Sequence, residues 1–454
     1  MKNIHNYNID YSLFEKYDKE FFLENLILPF YEDDICLKFY VCASSNLTTV
    51  NEKFSKLIKY KECEEKDLLF ALSFMDIKLE LFHLFLMAIS LHNIDEKYIQ
   101  KFFDILLKYA ILSRTSDIHI ETYKTQTIFR FRVDGSLKTF FSIDKSFFKL
   151  ISSYIKLLSN LDITLVRLPQ DSRFSMNIEN KNYDFRVSTL PTLDSESIVI
   201  RILDNKNINK SLDSLGLSSH ILSSVKNALN FTQGLVLVTG PTGSGKTTTL
   251  YSMLKYLNAD EKKIITVEDP VEYKMDSLCQ VAVNTKVGLS FEMILKNILR
   301  QDPDIIFIGE IRDEFSLSIA LQASLTGHLV IASIHANNSV DTISRLFDLK
   351  ADPFLVSSTL KLILSQRLAL SFCKYCNSKG CEKCNYTSYY DRTCIAESLK
   401  IDEKLSSLIF NKTDLNEIKE HLKVSGFKTM LEDGLIKVQD NITSKEEIYK
   451  VVYS

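Results

Sequence analysis

A single glycine-rich stretch constrains what this chain can fold into. Residues 235–254 read LVLVTGPTGSGKTTTLYSML, in which an apolar run predicts a buried strand and a helix is expected to begin at Lys246 after the turn. The turn fits the pattern G-x-x-x-x-G-K-[ST] at every fixed position. Backbone N–H groups in such a turn can surround phosphate oxygens, and the helix N-terminus adds the positive end of its dipole. The stretch therefore predicts a phosphate-binding loop in an α/β domain.

The residues of this loop have separate expected roles. Lys246 is placed to reach the terminal phosphates of a nucleotide, and the Thr247 hydroxyl can bind Mg²⁺. The residues predicted to contact the nucleotide are Gly240, Pro241, Thr242, Gly243, Ser244, Gly245, Lys246, Thr247 and Thr248. Binding alone does not establish hydrolysis, which requires carboxylates at strand ends near the terminal phosphate.

Two segments downstream supply candidate carboxylates. KKIITVEDPVEY places Glu268 and Asp269 after an apolar strand, and DPDIIFIGEIRD ends another buried strand at Glu310. Glu310 is preceded by Gly309, where many ATPases have aspartate, so metal binding would rely on Thr247, water and Glu310. For each acid alone, the alternative is a solvated residue at a strand end. Two acids on successive strands after a phosphate loop favour a catalytic interpretation.

A histidine follows a third apolar strand. LVIASIHANN ends at His335, and His328 lies at its start. A histidine at this position could contact the terminal phosphate or orient the attacking water, and the alternative is a structural histidine with hydrogen-bond partners of its own.

Four cysteines follow a metal-binding pattern. FCKYCNSKGCEKC contains Cys373, Cys376, Cys381 and Cys384 as two C-x-x-C pairs separated by four residues. Four thiolates suit tetrahedral Zn²⁺ in a closed structural site, and four free thiols are the alternative. We predict a zinc module over residues 370–397 that stabilises the fold and takes no part in chemistry.

The length and pattern of the chain predict several domains. A chain of 454 residues is too long for one ordinary core. Residues 1–97 carry no chemical motif, residues 98–205 predict a compact α+β domain, and the polar residues 206–214 predict a linker. Strands and helices alternate over residues 215–454, which predicts a parallel sheet with helices on its faces.

Charge and hydropathy restrict the class of partner. The net charge of −3 and the pI of about 6.3 give no overall basic surface for nucleic acid. The start of the chain, MKNIHNYNID, is polar, and the most apolar run (79–91) falls short of the roughly 20 residues that span a bilayer. We therefore expect a cytoplasmic protein without a transmembrane segment, whose membrane contact is through partners.

Arginine is scarce and clustered. Seven of the 12 arginines lie between Arg114 and Arg201 in a chain with 43 lysines. Because the planar guanidinium suits phosphate contacts and interfaces, the cluster could mark either of these, and ordinary surface salt bridges are the alternative.

The motifs and their order resemble those of the type II secretion and type IV pilus assembly ATPases, from about residue 98 to the end. The motifs are SDIHIE (116–121), RFRVDG (130–135), RLPQDSR (167–173), RVSTLPT (186–192), the phosphate loop, TVEDPVE (266–272), LRQDPDIIFIGEIRD (299–313), TGHLVIASIHAN (326–337), the cysteine pairs and DRTCIAE. Ser172, Ser195, Ser388 and Asp391 stand where the family usually has glycine.

The resemblance implies a RecA-like ATPase core preceded by a PAS-like α+β domain, with a helical tail at 398–454 and a docking role for residues 1–97. It implies a homo-hexameric ring that binds ATP, Mg²⁺ and Zn²⁺. Glu268 and Glu310 would polarise water and support Mg²⁺, and His335 would contact the γ-phosphate. Arg186 and Arg201 would reach the nucleotide of a neighbouring subunit.

The implied activity is that of a motor. ATP hydrolysis would act on an inner-membrane platform protein and drive assembly of a type IV pilus, a type II secretion pseudopilus or a DNA-uptake fibre, with no direct nucleic-acid contact. The tetracysteine module is typical of the assembly members rather than of the retraction ATPases. The alternatives are a nucleotide-binding ring scaffold with little hydrolysis and a nucleic-acid motor with a RecA-like core.

Overall fold

The computed structural model describes residues 9–90, 96–193, 195–203 and 210–453. The chain divides into two compact units, Met1–Asp204 with Cys373–Tyr390, and Asn205–Phe372 with Asp391–Ser454. Residues 206–209 of the predicted linker lie outside the described residues, as do residues 1–8 and 91–95 of the predicted N-terminal domain.

The first unit contains seven helices and nine strands in its described part. The helices are α1 (Ser12–Lys16), α2 (Lys19–Glu24), α3 (Leu47–Lys53), α4 (Glu65–Leu72), α5 (Met75–Ser90), α6 (Glu96–Leu112) and α7 (Ser146–Leu158). The strands are β1 (Ile27–Glu32), β2 (Cys36–Val41), β3 (Leu57–Glu62), β4 (Thr115–Thr122), β5 (Gln126–Val133), β6 (Ser136–Asp144), β7 (Gln170–Ile178), β8 (Lys181–Pro191) and β9 (Glu196–Leu203). Strands β1 to β3 form one sheet, and the other six form an antiparallel sheet in the order β6-β5-β4-β9-β8-β7.

The core of the first unit is built mainly from aromatic rings. Helix α6 presents Phe102, Phe103 and Leu106 to the interior at helical spacing, and all three are fully buried. The Phe102 ring lies 5.5 Å from Phe129 on β5 and 4.7 Å from Phe147 on α7, measured between ring centroids. These contacts pack α6 against the antiparallel sheet and against α7.

The second unit is built on a seven-stranded sheet. Its strands are β10 (Gly234–Thr239), β11 (Ile264–Glu268), β12 (Cys279–Ala282), β13 (Ile305–Ile311), β14 (Leu329–Ile334), β15 (Leu360–Phe372) and β16 (Tyr389–Lys400), in the order β12-β11-β13-β14-β10-β15-β16. Every neighbouring pair from β12 to β15 is parallel, as the sequence pattern predicts.

Helices cover both faces of this sheet. They are α8 (Ser219–Leu229), α9 (Lys246–Leu257), α10 (Phe291–Ile298), α11 (Glu314–Leu325), α12 (Ser339–Asp348), α13 (Pro353–Thr359), α14 (Glu403–Phe410), α15 (Leu415–Val424), α16 (Met430–Gln439) and α17 (Lys445–Val452). Leu235 and Leu237 belong to one hydrophobic cluster and Val236 and Val238 to another, because successive side chains of a strand point to opposite faces. The predicted α/β fold with a parallel sheet is confirmed.

Among the described helices, none is both long enough and apolar enough to cross a bilayer.

Candidate nucleotide site

The phosphate loop lies between β10 and α9, where the sequence predicts it. Strand β10 ends at Thr239 and helix α9 begins at Lys246. Gly240 has φ of +145°, and a Cβ atom there would lie 2.5 Å from the carbonyl oxygen of Gln366. Glycine is therefore required at the first loop position by backbone conformation and by close approach.

Lys246 closes the loop on itself in this conformation. Its Nζ donates to the carbonyl oxygens of Gly240 at 2.7 Å and Pro241 at 3.0 Å. Burial lowers the pKa of the Lys246 ammonium, and the negative charge of Glu310 acts in the opposite direction. Glu310 is thus within electrostatic reach of the lysine. The neighbouring Thr247 side chain is exposed in the first turn of α9.

Glu310 is the centre of a charged cluster at the end of β13. One carboxylate oxygen lies 2.9 Å from Nε2 of His335, and the other accepts from Nε of Arg312 at 2.6 Å. A second contact joins Arg312 to Asp269 at 3.5 Å. His335 follows directly after β14, at the start of a segment that we call the histidine loop (335–338). The structure therefore brings Glu310, His335 and Lys246 to one end of the parallel sheet.

Glu268 has a different environment. It is 3% exposed at the end of β11, and its carboxylate accepts hydrogen bonds from the hydroxyls of Tyr251 and Thr266 and from Gln280. Burial and the adjacent Glu268 charge raise the pKa of the Tyr251 phenol. Tyr251 therefore remains protonated and donates to Glu268, which fixes the carboxylate at the end of β11.

The packing of neighbouring strands explains why glycine, Gly309, precedes Glu310. A Cβ atom at Gly309 would lie 3.1 Å from the carbonyl oxygen of Val267 and 3.4 Å from the Cα atom of Glu268. The β13–β14 register also shifts between Ile308 and Ile311. Close approach of β11 to β13 therefore disfavours a side chain at position 309, and Glu310 is the acid that this strand end presents.

Sequence reasoning missed three residues of this site. Arg312 contacts Glu310, Gln366 donates from Nε2 to the carbonyl oxygen of Ser244 at 2.7 Å, and Arg367 donates to the carbonyl oxygen of Asn337 at 2.9 Å. A signal was available for the last two, because Gln366 and Arg367 interrupt the apolar run of LKLILSQRLALSF. Their partners are distant in sequence and come from strand pairing.

The predicted arginines lie in the first unit, in one register row of the antiparallel sheet. The row across β7, β8, β9, β4 and β5 consists of Arg173, Arg186, Arg201, Asp117 and Arg132. Nε of Arg201 donates to Asp117 at 2.8 Å, and Nε of Arg132 lies 3.7 Å from the same carboxylate. Directly paired residues share a face of the sheet, so four arginines and one aspartate form a positively charged stripe.

The four predicted cysteine ligands converge. Their Sγ atoms all lie within 4.8 Å of one another, with separations of 3.9 Å for Cys373–Cys381, 3.9 Å for Cys376–Cys384 and 3.8 Å for Cys381–Cys384. A tetrahedron with Zn–S bonds of about 2.3 Å has edges of about 3.8 Å, so the thiols fit a structural zinc site.

The segment Cys373–Tyr390, which we call the cysteine loop, also contacts the antiparallel sheet within the first unit. The Arg114 guanidinium lies 3.7 Å from the centre of the Tyr390 ring and donates to the carbonyl oxygen of Lys383 at 3.2 Å. At the end of this loop Ser388 has φ of +69°, as does Asp391 just beyond it. Both positions thus adopt the conformation that glycine favours.

A parallel sheet with a phosphate loop at one strand end, and an acid and a histidine at neighbouring strand ends, defines a P-loop nucleotide-binding protein. The chain belongs to the type II/IV secretion system protein family, whose model matches residues 92–450. The resemblance inferred from the motifs is confirmed.

Characterised bacterial secretion proteins are similar to this chain over most of its length. The type II secretion system protein HxcR of Pseudomonas aeruginosa is 41% identical over 354 residues, which cover 76% of each chain. The type II secretion system ATPase E of Vibrio cholerae is 39% identical over 386 residues, covering 80% of this chain and 76% of that protein.

Solved structures share the fold. The pilus retraction motor PilT with bound ADP is 27% identical, covers 76% of this chain and 96% of its own, and has a TM-score of 0.55. The Legionella pneumophila ATPase DotB gives a TM-score of 0.63 at 22% identity, covering 77% of this chain and 95% of its own, a likeness of fold alone.

Proposed function

We propose that this protein is a motor ATPase. It hydrolyses ATP and uses the free energy to drive assembly of a type IV pilus, a type II secretion pseudopilus or a DNA-uptake fibre through an inner-membrane platform protein. The family and its relatives support this proposal. The main observation behind it is the position of the Glu310 carboxylate. This carboxylate contacts His335 and Arg312, and its charge raises the pKa of Lys246 against the effect of burial.

Phosphate binding begins at the loop. Lys246 exchanges the carbonyl oxygens of Gly240 and Pro241 for phosphate oxygens, which also compensates its buried charge. The backbone N–H groups of the loop and the N-terminus of α9 add further positive potential at the same point.

Hydrolysis then requires a water aimed at the γ-phosphorus. Glu310 accepts a hydrogen bond from this water and takes its proton as the water oxygen bonds to phosphorus and the bond to the ADP oxygen breaks. His335 and Arg312 hold the two carboxylate oxygens of Glu310 in place until then. Glu268, held by its bonds to Tyr251, Thr266 and Gln280, would help to polarise this water.

Mg²⁺ fits the same place, because the exposed Thr247 hydroxyl and the partly exposed Glu310 carboxylate are oxygen donors of the kind this ion takes. The ion would neutralise charge on the phosphate oxygens. The four cysteines would hold Zn²⁺ as a structural ion.

We further propose a homo-hexameric ring in which Arg186 and Arg201 approach the nucleotide of a neighbouring subunit. The positively charged register row supports this proposal, because a guanidinium stripe suits the oxygens of a triphosphate. Residues 1–97 would dock on a partner, and the protein would be cytoplasmic and peripheral at the inner membrane through that partner and the platform protein.

The test separates turnover from binding. Purified chain is assayed for steady-state ATP turnover and, separately, for nucleotide binding, beside Glu310→Gln and the control Glu292→Gln, which changes an exposed acid on α10. We expect Glu310→Gln to lose turnover by about 100-fold or more while it retains binding, and the control to match the parent. A parent that binds nucleotide without turnover, or a Glu310→Gln variant as fast as the parent, contradicts the motor assignment.

A further inference from the structure

Strand β15 contains two buried polar side chains, Gln366 and Arg367, in an otherwise apolar segment. Gln366 is 1% exposed and Arg367 is 6% exposed, between the apolar residues Leu364 and Leu368. Burial of an amide or a guanidinium is costly unless hydrogen bonds or an opposite charge compensate it. The atoms that these two side chains contact therefore indicate why they are there.

Gln366 contacts the phosphate loop. Thr239, the last residue of β10, pairs in register with Ser365, so Gln366 lies where the loop leaves the sheet. Its Nε2 donates to the carbonyl oxygen of Ser244 at 2.7 Å, and a Cβ atom at Gly245 would lie 3.1 Å from the same nitrogen. Gln366 thus fixes the main chain of the loop at the residue before the helix begins.

Arg367 contacts the histidine loop. Its Nη2 donates to the carbonyl oxygen of Asn337 at 2.9 Å, two residues after His335. Thr239 holds the same loop from β10, because its hydroxyl exchanges hydrogen bonds with the N–H and the carbonyl oxygen of Ala336 at 3.0 and 3.1 Å. Adjacent residues of β15 therefore hold the two loops that flank the expected phosphate position.

Among the described residues, no carboxylate forms a direct ion pair with Arg367, and Glu397 is the acid whose charge acts on it. Its Nε is buried without a hydrogen-bond partner there, and no carboxylate in that part of the chain lies within 4 Å of the guanidinium. Burial lowers the pKa of Arg367, and the Glu397 charge acts in the opposite direction from a greater distance. The Glu397 carboxylate itself accepts from Ser339 and Met430.

The Arg367 charge also acts on Lys246, the lysine of the phosphate loop. Burial lowers the pKa of Lys246, and the Arg367 charge lowers it further. Two cations that act on one another, one of them buried without a direct ion pair among the described residues, favour a polyanion between them.

We propose that Gln366 and Arg367 are positioning residues for the nucleotide. Gln366 holds the phosphate loop in its binding conformation, and Arg367 holds the histidine loop and adds positive charge on the γ-phosphate side. The inference deepens the proposed function and rests on it. The two residues should therefore differ in which nucleotide affinity they affect. Gln366 acts on the loop that binds both ATP and ADP, whereas Arg367 acts where only the γ-phosphate of a triphosphate reaches.

The experiment uses the full chain in a Glu310→Gln background, so that ATP is not consumed during titration. The variants are Gln366→Met, Arg367→Met and Arg367→Lys, with Arg345→Met on α12 as a matched arginine control outside the site. Dissociation constants for ATP and ADP with Mg²⁺ are measured for each, and melting temperatures verify folding. Turnover is measured for the same substitutions with Glu310 restored.

We expect Arg367→Met to weaken ATP binding about tenfold and ADP binding about twofold or less, because the lost interaction is a charged one with the terminal phosphate. We expect Gln366→Met to weaken both nucleotides by a similar factor of about five, since a neutral hydrogen bond that shapes the loop is removed. Arg367→Lys keeps the charge and loses the bond to Asn337, so ATP affinity stays within about threefold while turnover falls about tenfold.

Equal loss of ATP and ADP affinity in Arg367→Met, or no loss in either, overturns the role of Arg367. If Arg367→Met does not fold, Arg367→Lys decides, and turnover equal to the parent overturns the role. An unchanged Gln366→Met overturns the role of Gln366. A parent that binds nucleotide but does not hydrolyse it refutes the proposed function. The ATP and ADP dissociation constants of the variants then still decide the roles of Gln366 and Arg367. A parent that binds no nucleotide overturns both.

Discussion

At the scale of single residues, environment separates side chains that look alike in the sequence. Glu268 and Glu310 both lie at the ends of parallel strands. Glu268 is buried and bonded to three neutral donors, whereas Glu310 is partly exposed and contacts a histidine and an arginine. A carboxylate that accepts three internal bonds has little capacity left for water, so Glu310 is the better candidate for proton transfer.

Lys78 provides a prediction on pH at the same scale. It is buried on α5, and its Nζ donates to the carbonyl oxygen of Ala71 at 2.8 Å, near the end of α4. Burial lowers the pKa of the Lys78 ammonium from 10.5 to about 7. Between these two pH values the unfolded chain binds more protons than the folded chain, so this group makes the free energy of unfolding rise with pH.

We therefore expect Lys78→Met to reduce the rise in unfolding midpoint between pH 7 and pH 9. Urea unfolding of the full chain at pH 7, 8 and 9 measures it, with Lys59→Met, an exposed lysine on β3, as control. If the unfolding midpoints of the parent and of Lys78→Met depend on pH in the same way, burial does not lower the pKa of Lys78 as described.

At the scale of elements, two residues adopt a backbone conformation that disfavours them. Ser388 and Asp391 have positive φ where the family usually has glycine, whereas Ser172 lies in the extended strand β7 and donates from its hydroxyl to Ser159. The left-handed region costs a residue with a Cβ atom about 1 kcal/mol relative to glycine, and aspartate less than serine.

Ser388→Gly should consequently raise the free energy of unfolding by up to about 1 kcal/mol and Asp391→Gly by less, while Ser172→Gly should lower it. Thermal unfolding of the three variants measures the differences. A destabilised Ser388→Gly variant would contradict the conformation at this turn.

The cysteine loop yields a second prediction for an element. Cys381→Ser removes one of four converging thiols, so we expect zinc content to fall from about one ion per chain to almost none and the melting temperature to fall with it. Elemental analysis and calorimetry measure both, and Cys279→Ser, an exposed cysteine on β12, is the control. A parent without zinc would refute the structural role.

Local pattern predicted the elements whose signals are contiguous: the phosphate loop, the strand ends at Glu268 and Glu310, His335 and the cysteine pairs. It could not reveal Gln366 on Ser244 or Arg367 on Asn337, because those contacts depend on pairing between distant strands. Nor could it explain Gly309, whose reason is the approach of the Val267 carbonyl from the neighbouring strand. The positively charged stripe likewise could not be predicted, because it results from the register of five strands.

At the scale of the whole molecule, the hexameric ring that we propose would share each active site between two subunits. Each subunit would supply Glu310 and the phosphate loop to its own nucleotide, and Arg186 to that of a neighbour. Closed rings make such head-to-tail sharing possible at every interface. Neither an Arg186→Ala subunit nor a Glu310→Gln subunit can then complete a site with a copy of itself.

The most direct measurement is ATP turnover in a mixture of these two variants. We expect each variant alone to be nearly inactive and an equal mixture to regain about a quarter of the parental rate, because one interface in four pairs an intact Glu310 with an intact Arg186. A mixture no faster than its two components, or an Arg186→Ala variant that turns over ATP at the parental rate by itself, would contradict the shared-site motor.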